Sequence, residues 1–214
     1  MNFNLALLVS IIASAAAWHY YPGQEGVPKP ALPIPSVDPN AQDLDIRRVV
    51  EVNERLAVIR RKHNVGTSYR CLSALKQSGS GTGPYKYNLK ARNGIHTEDK
   101  YEDFKVEVTL KPLGVTTPGY KATYMQKGKE ITLTLKNADQ QNKCFVLFAD
   151  YGQNQGGCEL LLRKSALSQD IPADCLSYYE NQCGGVSIQL YEEGCKYEDV
   201  PELVPIEGVP GIPF

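Results

Sequence analysis

The stretch Asn142–Lys164 reads NKCFVLFADYGQNQGGCELLLRK. Two apolar runs, CFVLFADY and CELLL, flank the turn-rich GQNQGG, and each run opens on a cysteine, Cys144 and Cys158. Short apolar runs separated by glycine and asparagine read as a β-hairpin. A single glutamate, Glu159, stands in the second run. Two questions follow from this hairpin: whether it lives where disulfides persist, and whether it lines a packed core or a cavity.

Upstream of the hairpin the chain repeats the strand signal. EITLTLK (130–136) places Ile131, Leu133 and Leu135 on one face, and YKATYM (120–125) does the same for Tyr120, Ala122 and Tyr124. FKVEVTL (104–110) sets Phe104, Val106, Val108 and Leu110 against Lys105, Glu107 and Thr109. YKYNLKAR (85–92) sets Tyr85, Tyr87, Leu89 and Ala91 against Lys86, Asn88, Lys90 and Arg92. RLAVIRR (55–61) and SYRCLSAL (68–75), joined by KHNVGT, complete about eight strands, each with one apolar face. A short helix is expected in SVDPNAQDLDIRRVVEVNERL (36–56), with Asp38 as cap and Pro39 at the first helical position. A second follows the sheet in SQDIPADCLSYYENQCGG (168–185), with Asp170 capping, Pro172 in the first turn and Gly184-Gly185 ending it. The fold class is mainly β. Eight one-sided strands followed by a helix fit an up-and-down antiparallel barrel, with room for side chains or one small ligand. A two-sheet sandwich with a filled core fits the same periodicity.

Composition narrows the setting. The chain has 214 residues, enough for one well-buried domain, and a net charge of −1. That balance gives no electrostatic case for nucleic acid or for an anionic membrane as partner. Leu5–Ile12 is a short apolar run followed by ASAAA, the pattern of a secretory signal peptide cut near Ala17. The organisation expected is a signal peptide at 1–17, a proline-rich arm at 18–37, the domain at 38–199 and a proline-rich tail at 200–214. Six cysteines, Cys71, Cys144, Cys158, Cys175, Cys183 and Cys195, imply three disulfides in a secreted protein, with 15 possible pairings. None has zinc-ligand spacing, and the histidines (His19, His63, His96) are scattered, so no metal site is expected. SGSGTGP (78–84) lacks the Gly-Lys-Ser/Thr ending of a phosphate loop, and no G-x-S-x-G or H-E-x-x-H occurs. The expectation is a binding protein without a cofactor rather than an enzyme. The 13 tyrosines, against five phenylalanines and one tryptophan, carry a further hint. A dry core disfavours hydroxyls that need partners, so Tyr85, Tyr87, Tyr120 and Tyr124 on inward faces point to a cavity with polar handles.

The series KCFVLFADY, GGCELLLRKSAL, IPADCLSYYENQCGG and YEEGC, with YKYNLKARNG upstream, resembles the tick salivary lipocalins of the histamine-binding family over about residues 40 to 197. The resemblance implies an eight-stranded antiparallel lipocalin barrel with a short N-terminal helix and a C-terminal helix packed on it. It favours the pairs Cys71–Cys195, Cys144–Cys175 and Cys158–Cys183. It also implies secretion and sequestration of a small host mediator, lipid or amine, to suppress inflammation or haemostasis. A second reading, also implied, has the barrel acting through its outer surface on a host protein such as a complement component. A third is a carrier or structural role with a filled barrel. The family's amine signature is Cys-Asp-aliphatic, then Glu-Leu-Trp/Tyr. Here Phe145 stands where the aspartate would be and Leu161 where the aromatic would be, while Glu159 remains; G-x-W is absent, and the sole Trp18 lies in the arm. A buried amine needs carboxylates and aromatic faces, so these replacements favour an apolar or eicosanoid-like ligand over histamine or serotonin. The candidate pocket residues are Tyr87, Phe104, Tyr120, Tyr124, Phe145 and Glu159. Arg60 or Arg61 is the candidate partner for a ligand carboxylate, and sequence leaves open which one faces inward.

Overall fold

A computed structural model of the protein describes residues 43–153 and 155–197. The signal peptide, the proline-rich arm and tail, Asp38 and Pro39 all lie outside the described residues. The strands are β1 (Leu56–Arg61), β2 (Tyr69–Ser78), β3 (Tyr85–Asn93), β4 (Tyr101–Pro112), β5 (Tyr120–Gln126), β6 (Lys129–Ala138), β7 (Cys144–Asp150), β8 (Gly156–Arg163) and the short β9 (Ile188–Gln189). The first eight run as an antiparallel meander, and β1 pairs with both β8 and β2, so the sheet closes on itself. Closure separates the barrel from the sandwich. β9 adds to β1 outside the ring, through Arg60↔Gln189 and Arg61↔Ile188.

Helix α1 (Arg47–Val50) is a single turn that closes one end of the barrel. The chain before it is tied to the ends of two strands by Leu44 N–H to the Leu135 carbonyl at 2.9 Å and Ile46 N–H to the Tyr120 carbonyl at 3.0 Å. Asp45 receives the backbone N–H of Arg47 at 3.0 Å, satisfying one of the turn's open donors. Helix α2 (Ala173–Gln182) begins after Pro172, as its fixed φ favours, but no side chain caps it, so the expected cap at Asp170 does not form.

The core has two layers. The inner one fills the barrel with residues such as Ile46, Val50, Leu56, Val108, Leu135, Phe145 and Leu147. The outer one lies between the outside of β1, β7 and β8 and helix α2, and contains Ile59, Val146, Leu160, Leu162, Tyr179 and buried cysteines. This explains why β7 and β8 read as unbroken apolar runs while β3 and β4 alternate. Strands covered on both faces bury every residue, whereas strands with one wet face bury every second one. The three disulfides belong to this outer layer. Cys144–Cys175 and Cys158–Cys183 tie α2 and its end to β7 and β8, and Cys71–Cys195 ties the C-terminal segment to β2.

Two consecutive glycines let the hairpin close tightly. A Cβ at Gly156 would lie 2.7 Å from the Ala149 carbonyl oxygen, and one at Gly157 would lie 2.7 Å from that of Lys62. Side chains at either place would push the β8 backbone off its neighbours. Arg92, expected on the solvent face of β3, is instead fully buried and paired with Glu192 of the C-terminal segment. A one-sided strand pattern cannot foresee a cover supplied by a loop a hundred residues later.

Candidate ligand-binding site

Antiparallel connectivity puts the β1–β2, β3–β4, β5–β6 and β7–β8 connections at one end of the barrel and α1 at the other. Between them lies a cavity of about 280 Å³, near the lower edge of the ~300–1,000 Å³ usual for small-molecule pockets. Its closed end is apolar, built from Ile46 just before α1 and Val49 and Val50 within it, with Leu56 and Val108. Its open end carries the polar groups: Arg61, Asn64, Tyr69, Gln126, Lys127, Tyr151 and Glu159.

Four of the six residues expected from sequence, Tyr87, Phe104, Tyr124 and Glu159, line this cavity. Tyr120 and Phe145 do not. Tyr120 begins β5 at the closed end, where the Arg47 guanidinium lies 5.0 Å from its ring centroid. Phe145 is fully buried in the inner layer at the start of β7. Its cross-strand neighbour Leu161 does reach the wall. Alternation assigns a residue to a face but not to the cavity wall, and neither Tyr120 nor Phe145 reaches that wall. Two of the inward tyrosines have partners within the chain. Tyr85 donates its hydroxyl to the Gly81 carbonyl at 2.8 Å, and Tyr87 donates to the Val50 carbonyl at 2.9 Å. Those hydroxyls pin loops at the closed end and need no water-filled cavity.

Arg61, not Arg60, faces inward. Leu56 and Val58 line the cavity, and strict alternation would point Arg60 in after them. The β1–β8 register shifts between Val58 and Arg60, and this bulge reverses the parity. Arg60 therefore lies outside, bonded to Gln189 at 2.9 Å. Arg61 is 7% exposed, gives one N–H to the Asn64 carbonyl at 3.0 Å, and its Nε has no hydrogen-bond partner among the described residues.

Directly across from Arg61 on β8 is Glu159. Its carboxylate accepts from His63 Nε2 at 2.9 Å, and the pair's side chains are 13% and 4% exposed for Glu159 and His63. Asn64 Nδ2 lies 3.4 Å from His63 Nδ1, which leaves the ring proton on Nε2 to face the carboxylate. The His63 and Tyr151 rings meet at 5.1 Å between centroids. Burial opposes ionisation of Glu159, but the His63 hydrogen bond and the charges of His63 and Arg61 outweigh it and hold the carboxyl below its ordinary range. Burial, together with the nearby Glu159 charge, raises the hydroxyls of Tyr124 and Tyr151 well above theirs. Both therefore stay protonated at neutral pH and can donate.

Lys127 and Gly128 form the two-residue β5–β6 turn between the paired Gln126 and Lys129, with φ of 50° and 77°. Two left-handed residues are what such a tight hairpin requires. The Lys127 ammonium lies 5.9 Å and 5.6 Å from the ring centroids of Tyr69 and Phe104, at the cavity's open end.

Sequence reading missed His63, Asn64, Tyr69, Lys127 and Tyr151. Only Tyr151 carried a usable signal, since it continues the two-residue period of Leu147 and Ala149. Tyr69 precedes a shifted register in β2, and the others lie in connections.

A family model described as tick histamine binding protein matches residues 36–197. The chain belongs to the tick histamine-binding protein family. The match covers every described strand, both helices and all six cysteines. Membership makes the barrel a member of a family of small-molecule binding proteins rather than enzymes. No curated protein matches the chain. Among the described residues, no helix is long and apolar enough to cross a membrane. Three disulfides in a family of this kind fit an extracellular protein.

Proposed function

We propose that this histamine-binding-family barrel is a secreted scavenger of an apolar host mediator bearing an acidic head group, an eicosanoid-like lipid rather than a biogenic amine. The observation that carries this reading is the charge balance at the cavity's open end. Glu159 is the one carboxylate among the described wall residues, and its Oε1 is already hydrogen-bonded to His63. Arg61 keeps an unpartnered N–H in the same wall, and Lys127 adds a second cation nearby. An anion entering there meets donors, whereas a protonated amine meets a carboxylate whose Oε1 already accepts from His63. The apolar closed end takes the hydrocarbon part, which the small volume requires to be compact or bent. Sequestration lowers the mediator's free concentration without chemistry and so dampens inflammation or haemostasis.

The test is calorimetric titration of the secreted protein with arachidonate, a leukotriene, histamine and serotonin, after organic extraction and mass spectrometry of any co-purified lipid. The expected result is micromolar or tighter binding of at least one acid and much weaker binding of both amines. Tight histamine binding would overturn the ligand assignment. Binding of none of them would move the activity to the barrel's outer surface and a protein target.

A further inference from the structure

His63 does not itself line the cavity, yet it decides what the cavity's carboxylate can do. Its ring is almost wholly buried behind Glu159, wedged against Tyr151 and oriented by Asn64. The Glu159 carboxylate thus has His63 Nε2–H on Oε1 and the Arg61 side chain across the strand pair. We propose that His63 is a specificity-determining residue that locks Glu159 and so closes this barrel to protonated amines. The inference rests on the ligand reading above for its setting, since both concern one cavity.

The physical case is a competition for one anion. A carboxylate in a mostly buried site binds a cation strongly only if that cation replaces a missing partner. Here the partner is supplied from within the chain, and it is pre-organised. A Tyr151 ring on one side and the Asn64 amide on the other hold the imidazole, so little entropy is lost in keeping the bond. An incoming ammonium would have to displace His63 or share a carboxylate already facing two cationic or proton-donating groups. Removing the imidazole donor leaves Glu159 with Arg61 alone and an unfilled acceptor toward the cavity. An amine of suitable size then becomes that partner, with Tyr124 and Tyr151 as aromatic faces beside it.

The experiment measures histamine and serotonin affinity, with arachidonate as control, for the full-length secreted protein and three variants. His63→Phe keeps the ring packing on Tyr151 but has no donor, and His63→Leu serves the same purpose should that variant not fold. His63→Gln retains a side-chain N–H donor. His63→Phe with Glu159→Gln removes the carboxylate as well. The expected result is a gain of about 10-fold or more in amine affinity for His63→Phe. That gain is absent from His63→Gln and abolished in the double variant. A folded His63→Phe and His63→Leu that bind amines no better than the parent would overturn the proposal, as would a gain that survives Glu159→Gln. Failure of the parent to bind arachidonate would count against the ligand reading alone, because the lock is read only from the amines.

Discussion

Serine at both Cys71 and Cys195 lowers the folding free energy by about 5 kcal/mol in the chain-entropy model of a cross-link. The bond joins residues 124 apart, against 31 for Cys144–Cys175 and 25 for Cys158–Cys183. Those shorter loops carry about 3.5 kcal/mol each on the same model. Paired substitution avoids leaving a lone buried thiol. The readout is the urea midpoint of each paired variant, and the expected order puts the Cys71–Cys195 variant lowest. Equal losses for all three would mean that holding α2 and the C-terminal segment in place, rather than restricting the unfolded chain, is the larger contribution. The Cys71–Cys195 bond also keeps the segment that covers Arg92. Its loss therefore frees that segment and exposes the arginine to water.

Phe145→Ala lowers stability by about 3–5 kcal/mol, the range for a fully enclosed aromatic whose site cannot collapse. Phe145 is fully buried between its strand neighbours Ala138 and Leu161, in the inner layer at the end of the barrel that α1 closes. The substitution removes the ring and leaves rigid sheet around the void. Chemical denaturation gives the value, with an unchanged m marking a pure stability effect. A loss below about 1 kcal/mol would show that the site repacks freely. The position has a second interest. The structure puts this residue in the inner layer, paired across the strands with Leu161 of the cavity wall.

These expectations show how far the sequence reached. Eight strands, the helix after the sheet and the presence of three disulfides were all legible, because each rests on a local pattern: period two, turn residues between runs, an even cysteine count; the pairing came only from the family resemblance. Barrel and sandwich share those patterns, and only the pairing of β1 with β8 as well as with β2 separates them. The site was legible by face but not by depth. Tyr87, Phe104 and Tyr124 reach the cavity because their strands keep alternation through its height. Tyr120 and Phe145 obey the same alternation and fall at the closed end instead. Arg61 was undecidable because a single bulged residue in β1 inverts the parity of everything after it. His63 sits two residues beyond Arg61, in what read as a connection. Nothing local marks a loop histidine that finds its carboxylate 96 residues away.

The two layers also explain the opening hairpin. Its cysteines face α2, its Phe145 and Leu147 face the barrel from β7, and Glu159 faces the cavity from the paired strand β8. One apolar stretch thus supplies the staple, the floor and the sole wall carboxylate among the described residues. What ligand the cavity prefers then depends on the neighbours of that carboxylate, the His63 Nε2–H donor and the Arg61 side chain.

The direct measurement is the affinity of the parent protein for arachidonic acid against its methyl ester, repeated with Arg61→Gln. The ester keeps the hydrocarbon and removes the charge. A buried charge-assisted hydrogen bond predicts that esterification weakens binding about 10- to 100-fold in the parent and changes it little in Arg61→Gln. Equal affinity for acid and ester in the parent, with histamine bound more tightly than either, would contradict it.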